Sequence, residues 1–105
     1  MPSELIGFVT CPPGKGQELA HKVVEEKLVA CVNIISSIRS IYMWKGKIED
    51  EAEELLVVKT HTEKWKEFER RMKEIHPYDV PEIICFRVED GYAPYLDWLK
   101  SNVLT

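Results

Sequence analysis

This sequence has no apolar stretch long enough to cross a bilayer and no run of lysine or arginine. Its three cysteines, Cys11, Cys31 and Cys85, stand far apart with no C-x-x-C among them. Each absence excludes something. The N-terminal apolar run Leu5 to Val9 is broken by Gly7 and follows Met1-Pro2-Ser3-Glu4, which carries no basic segment. Neither a signal core nor a membrane anchor is expected, and the chain reads as cytoplasmic. Fourteen basic residues against eighteen acidic ones leave a net charge of -4 and no cationic stripe to meet phosphates, so nucleic acid and anionic membrane are poor partners. An odd number of widely spaced cysteines fits free thiols in a reducing compartment better than a disulfide framework or a zinc knuckle.

What is present points to one packed domain over residues 1–105. A hydrophobic content of 45% is ample for an interior at this length, which suffices for one core but not two. Leu5 to Thr10 reads as a strand that runs into the loop Cys11-Pro12-Pro13-Gly14-Lys15-Gly16. From Gln17 to Leu28 the apolar Leu19, Ala20, Val23, Val24 and Leu28 recur at helical spacing. Val32 to Trp44 is β-rich, but its apolar parity switches around Ile38 to Ile41, as a bulge would cause. Lys45-Gly46 offers a tight reversal into a second long strand, Lys47 to Thr60. Glu63 to Ile75 carries Trp65, Phe68, Met72 and Ile75 on one helical stripe, Ile83 to Val88 forms a fourth strand, and Leu96, Leu99 and Val103 mark a last helix.

The order β-α-β-β-α-β-α is that of an α+β, ferredoxin-like split βαβ with an additional C-terminal helix. Strands of about a dozen residues outrun the usual five or six, so the central hairpin overhangs its own sheet. Edges of that length invite aggregation unless another chain covers them, and association through the hairpin is therefore expected.

Candidate chemistry gathers at His76-Pro77-Tyr78-Asp79-Val80-Pro81-Glu82, an imidazole, a phenol and carboxylates held between ring-locked positions. The prolines predict that the helix stops near Ile75 and that the backbone then runs extended. The plainest reading is a well-made helix stop, though side chains held this rigidly also suit a site. Gly14-Lys15-Gly16 follows a strand and precedes a helix, where amides and a lysine can receive a phosphate, but it lacks a full phosphate-loop pattern and reads first as a turn. Glu49-Asp50-Glu51-Ala52-Glu53-Glu54 reads as a solvated edge, or else as a strip for a hard cation or a partner. Cysteine and histidine suit thiophilic metals, but here they occupy separate elements, so any such site needs tertiary or intersubunit assembly. No triad order, paired carboxylate or nucleophile elbow is present, and no catalytic residue is expected; an enzyme using His76 as a proton shuttle is the weakest alternative. Lys59, ending an apolar strand, is the best inward-facing base.

Leu28-Val29-Ala30-Cys31-Val32-Asn33, Ser40-Ile41-Tyr42-Met43-Trp44-Lys45-Gly46-Lys47-Ile48-Glu49, Val58-Lys59-Thr60, His76-Pro77-Tyr78 with Pro81-Glu82-Ile83, and Tyr95-Leu96-Asp97-Trp98-Leu99 together resemble the CutA family over nearly the whole chain. The resemblance implies a ferredoxin-like fold and a PII-like homotrimer interlocked by its hairpins. It also implies a role in divalent-cation tolerance, with copper or another divalent metal ion as ligand, and in the response to metal ions. An alternative it raises is a signalling module that binds a small anionic ligand in clefts between subunits. Cys31, Trp44, Lys59, His76 and Tyr78 are the positions it places near such a cleft, with Cys31 and His76 as metal ligands. The chain departs from members with a three-cysteine copper site: only Cys31 matches clearly, Cys11 lies near but not on the first such position, Arg71-Met72-Lys73 stands where another thiol is wanted, and Cys85 lies on a different strand.

Overall fold

The computed structural model describes residues 3–104. Strand β1 (Glu4–Cys11) leads to helix α1 (Gly16–Glu25), then to the long strands β2 (Cys31–Trp44) and β3 (Lys47–His61). A single 3-10 turn, Thr62–Lys64, precedes α2 (Trp65–Ile75), which is followed by β4 (Ile83–Arg87) and α3 (Ala93–Val103). The strands form one antiparallel sheet in the order β2-β3-β1-β4, the ferredoxin-like arrangement expected from the element order.

Alternation along β3 sorts its side chains onto two faces. Leu56 and Val58 are fully buried and join Val9 and Cys11 of β1 under Leu19 and Val23 of α1 and Phe68 and Met72 of α2. The opposite face carries Leu55, Val57 and Lys59. Helix α3 reaches that second face, where the Lys59 ammonium lies 5.9 Å from the Tyr95 ring centroid. Gly7 is required where β1 passes beneath α2: a Cβ there would sit 2.8 Å from Val58 Cγ2 and 2.9 Å from the Trp65 ring.

The hairpin overhangs as expected. β1 pairs with β3 only from Glu54 to His61, so Lys47 to Glu53 pair with β2 alone, and the molecule measures 44 Å along its longest axis against 25 and 22 Å. Its turn has positive φ at both Lys45 and Gly46 (50° and 81°), the backbone that matches strand twist in a two-residue connection.

The bulge falls slightly earlier than the parity switch suggested. Register jumps between Ile35, opposite Leu55, and Ile38, opposite Glu53, and Ser37 takes a φ of 64°. One additional residue in β2 thus exchanges its faces, so Cys31, Asn33 and Ile35 share a side with Ser40, Tyr42 and Trp44.

Helix α1 ends at Glu25 rather than Leu28. The Leu28 N–H reaches back to the Val23 carbonyl and the Lys27 N–H to the Val24 carbonyl, both at 3.0 Å, with Lys27 left-handed at φ 59°. This paired closure satisfies the last carbonyls and swings Leu28 into the core beside Val23. Apolar spacing alone counts Leu28 as helical because it is buried on the same side. The start of the second helix is likewise a 3-10 turn, capped by the His61 ring, which accepts the Glu63 N–H at 3.1 Å. Because Lys27 bears the steric cost of a Cβ in the left-handed region, we expect Lys27→Gly to stabilise the fold by about 0.5–1 kcal/mol in urea unfolding at fixed protein concentration.

Candidate functional site

A groove of about 910 Å³ runs between the overhanging hairpin and the segment after α2. Tyr42, Trp44, Glu49, Glu51 and Glu53 line it from the hairpin, and Pro77, Tyr78 and Glu82 from the opposite wall. The bulge puts the aromatic residues there, since Ser40 stands opposite Glu51 and Tyr42 opposite Glu49 on the face the bulge selects.

The second wall is fixed through His76. Pro77 holds His76 extended at φ -77° and ψ 139°, ending α2 at Ile75 as expected. The buried imidazole places Nε2 2.8 Å from the Thr10 carbonyl oxygen, which can only accept, so Nε2 carries the proton. Nδ1 then accepts the Tyr78 backbone N–H at 3.1 Å. Both nitrogens are thereby occupied in the neutral ring. Burial holds the His76 pKa below the ordinary histidine value against the opposing pull of the Thr10 carbonyl and the Glu53 charge.

Tyr78 packs on that imidazole, ring centroids 4.8 Å apart, and its hydroxyl donates to Glu53 Oε2 at 2.7 Å. Glu53 is only 6% exposed, and no lysine or arginine pairs with it among the described residues. Its charge is felt around it. The Tyr78 phenol is pushed well up, first by burial and then by Glu53, and the Glu82 carboxyl is raised for the same two reasons.

The acidic run that looked uniform in the sequence is divided by strand alternation into separate roles. Asp50 pairs with Arg39 on the far face at 3.1 Å through Oδ1. Glu54 turns toward α1 and accepts the Gly16 N–H at 2.9 Å. That carboxylate occupies the helix N-terminus where a phosphate at Gly14-Lys15-Gly16 would sit, so the turn reading holds there and the anion is supplied by the chain itself. Glu49, Glu51 and Glu53 face the groove. Sequence reasoning missed these as individual wall residues, although their two-residue spacing on a β-rich stretch carried the signal.

Of the cleft positions, the protomer joins Trp44, His76 and Tyr78 at the groove, His76 from behind its wall. Cys31 and Lys59 lie elsewhere, opposite each other in register near α3. Along β2, Cys31 and Trp44 are separated by about 40 Å of strand. Cys31 and His76 are not brought together, and the described residues hold no group of three or more His, Cys, Asp or Glu that fits a metal ion. Buried Cys11, its thiol pushed up to about 11 by burial and then by Glu54 and Glu53, is not a thiolate at neutral pH. Cys85 is exposed on β4. No helix among the described residues is long and apolar enough to cross a membrane.

A family model described as CutA1 divalent ion tolerance protein matches residues 5–102. The chain belongs to this family. It is 47% identical over 95 residues to Protein CutA of Homo sapiens, covering 90% of this chain and 53% of that protein, so it spans about half the length of that relative. It is 41% identical to the divalent-cation tolerance protein CutA of Thermus thermophilus, with 94% of this chain and 97% of that protein covered. Among solved structures, the divalent cation tolerance protein of Thermus thermophilus superposes with a TM-score of 0.93 at 40% identity, covering 95% and 98% of the two chains. The PII-like protein CutA from Nostoc superposes at 0.89 and 36% identity, covering 94% and 96%. These relatives are named as CutA or tolerance proteins and not as enzymes.

Because the folded imidazole titrates below its unfolded value, His76 contributes stability that is present above about pH 6.5 and lost as pH falls through its lowered folded pKa. We expect thermal melts between pH 7.5 and about 4.5 to show this acid-side loss in the wild type and a smaller one in His76→Gln. Equal slopes would remove His76 from the linkage.

Proposed function

We propose that the protein is a cytoplasmic homotrimer that serves divalent-cation tolerance by binding copper or another divalent metal ion in clefts between protomers, without catalysing a reaction. The carrying observation is the apolar surface that one protomer leaves uncovered. Ile41, Met43 and Ile48 on the overhanging hairpin are 66%, 64% and 71% exposed, and Ile84 and Phe86 on the sheet are 54% and 49% exposed. Exposed apolar surface on long strand edges marks association surfaces. The family's name and the Thermus relative's name support the tolerance role.

Within this reading the cleft draws on Cys31, Trp44, Lys59, His76 and Tyr78, with the groove of one protomer facing the Cys31–Lys59 end of the next. The described residues of one protomer gather no metal-sized set of donors, and in this reading a neighbouring protomer completes it. Cys31 is the thiophilic donor. His76 ligates only by releasing the Tyr78 amide from Nδ1 or the Thr10 carbonyl from Nε2, and until then it positions the wall. We expect Met43→Glu to shift sedimentation from trimer toward monomer. Calorimetric titration of the reduced protein with copper should lose its tight phase in Cys31→Ala; unchanged stoichiometry and affinity would remove that thiol from the site.

Lys59 supports a second reading. It forms no salt bridge among the described residues, and a cation beside a cleft suits a small anionic ligand in a PII-like signalling role, with His76 and Tyr78 as further contacts. The PII-like description of the Nostoc relative supports the same idea. Organic acids and nucleotides should then raise the melting temperature of the wild type and not of Lys59→Ala. Equal shifts in both would exclude Lys59.

A further inference from the structure

We propose that the overhanging hairpin turns on a hinge at the level of Glu54, and that the hydrogen bond between Tyr78 and Glu53 is the latch that sets how far the groove stands open. The inference goes beyond the cleft reading and is independent of what the groove receives. Two interruptions of the sheet fall at one level. β1 leaves β3 at the Cys11–Glu54 pair, so the hairpin loses its neighbour on that side. On the other side Ser36 and Ser37 together face Glu54, between the Ile35–Leu55 and Ile38–Glu53 pairs, with Ser37 left-handed at φ 64°. A bulge bends its strand and interrupts the ladder of hydrogen bonds. Where the strand on the far side also ends, the sheet offers little resistance to turning, and a few such residues are enough to make a hinge.

Side chains brace this level from both faces. Glu53 and Glu54 are consecutive on β3 and so point to opposite sides of it. On the helix face Glu54 Oε1 accepts the Gly16 N–H at 2.9 Å, an approach open because residue 16 has no Cβ, which would lie 2.6 Å from that oxygen. On the groove face Glu53 Oε2 accepts the Tyr78 hydroxyl at 2.7 Å. Among the described residues this is the one hydrogen bond between the hairpin past Glu54 and the rest of the protomer, since Arg39 and Asp50 pair within the hairpin. Tyr78 is in turn held by His76, which accepts its backbone N–H and packs on its ring, so the latch closes on a fixed wall. The groove lies between that wall and the hairpin. Turning at Glu54 therefore widens or narrows it and moves Trp44, near the far end of β2, through the widest arc.

Fluorine NMR of the full chain labelled with fluorotryptophan tests this, because its three tryptophans report three places. Trp44 lines the groove, Trp65 packs against the core and Trp98 lies on α3, and Trp44→Phe assigns the first signal. Tyr78→Phe removes the latch hydroxyl and keeps the ring on His76. Gly16→Ala displaces Glu54 from the helix face, behind the sheet and away from the groove. Glu54→Ala removes the same brace without added bulk, should crowding at residue 16 prevent folding. We expect the Trp44 signal to move by more than its linewidth in Tyr78→Phe and in the variant at 16 or 54, with Trp65 and Trp98 unmoved and sedimentation unchanged. A Trp44 signal that responds to Tyr78→Phe alone reports local contact and overturns the hinge. Equal movement of Trp65, or a shift that accompanies altered sedimentation, assigns the change to the whole fold or to assembly and overturns it as well. A copper titration on the same samples keeps the cleft reading separate, since loss of copper uptake in the wild type defeats that reading and leaves the hinge standing on the Trp44 signal.

Discussion

The residue that β2 gains between Ile35 and Ile38 governs everything beyond it, because side chains alternate along a strand and one insertion exchanges its two faces. Before the bulge, Val32 and Ile34 look toward the helices; after it, Tyr42 looks the other way, across from Glu49, and Trp44 does the same. Without the left-handed Ser37, the aromatic rings and the alternate carboxylates would stand on opposite sides of the ribbon. The groove's mixed lining is thus a matter of register before it is a matter of composition.

A second constraint acts from the opposite wall. Pro77 forces His76 out of helical geometry, and the imidazole then ties the chain to Thr10 on β1 through one nitrogen and to Tyr78 through the other. Tyr78 is carried to Glu53 by this staple. The segment that looked like either a helix stop or a site is therefore both, since ending the helix is what aims the phenol. A histidine used on both sides holds the wall with both ring nitrogens engaged.

Much of the architecture was legible because it rests on local periodicity. The helical stripe of Phe68 and Met72, the two-residue turn at Lys45-Gly46 and the proline stop at Ile75 all follow from nearest neighbours in the chain. The end of α1 was less legible, because Leu28 is buried whether or not it is helical and only backbone closure tells the cases apart. The acidic run was misleading as a unit for a related reason. Composition counts its charges, but strand alternation assigns Glu54 to the helix, Asp50 to Arg39 and Glu53 to the groove. The relation of Cys31 to His76 was not legible at all, since the sheet separates what the list of metal-binding residue types had grouped.

The inward turn of Glu54 and Glu53 also bears on the sulfur chemistry of the chain. Sealed under the sheet and beside two carboxylates, Cys11 stays a thiol well above neutral pH. Cys31 is half-buried on an edge strand and Cys85 is exposed on the other edge. Alkylating and oxidising reagents therefore meet a molecule with reachable sulfur at its two flanks and an inert one in its middle, and uptake of label at position 11 would report that the strands had come apart.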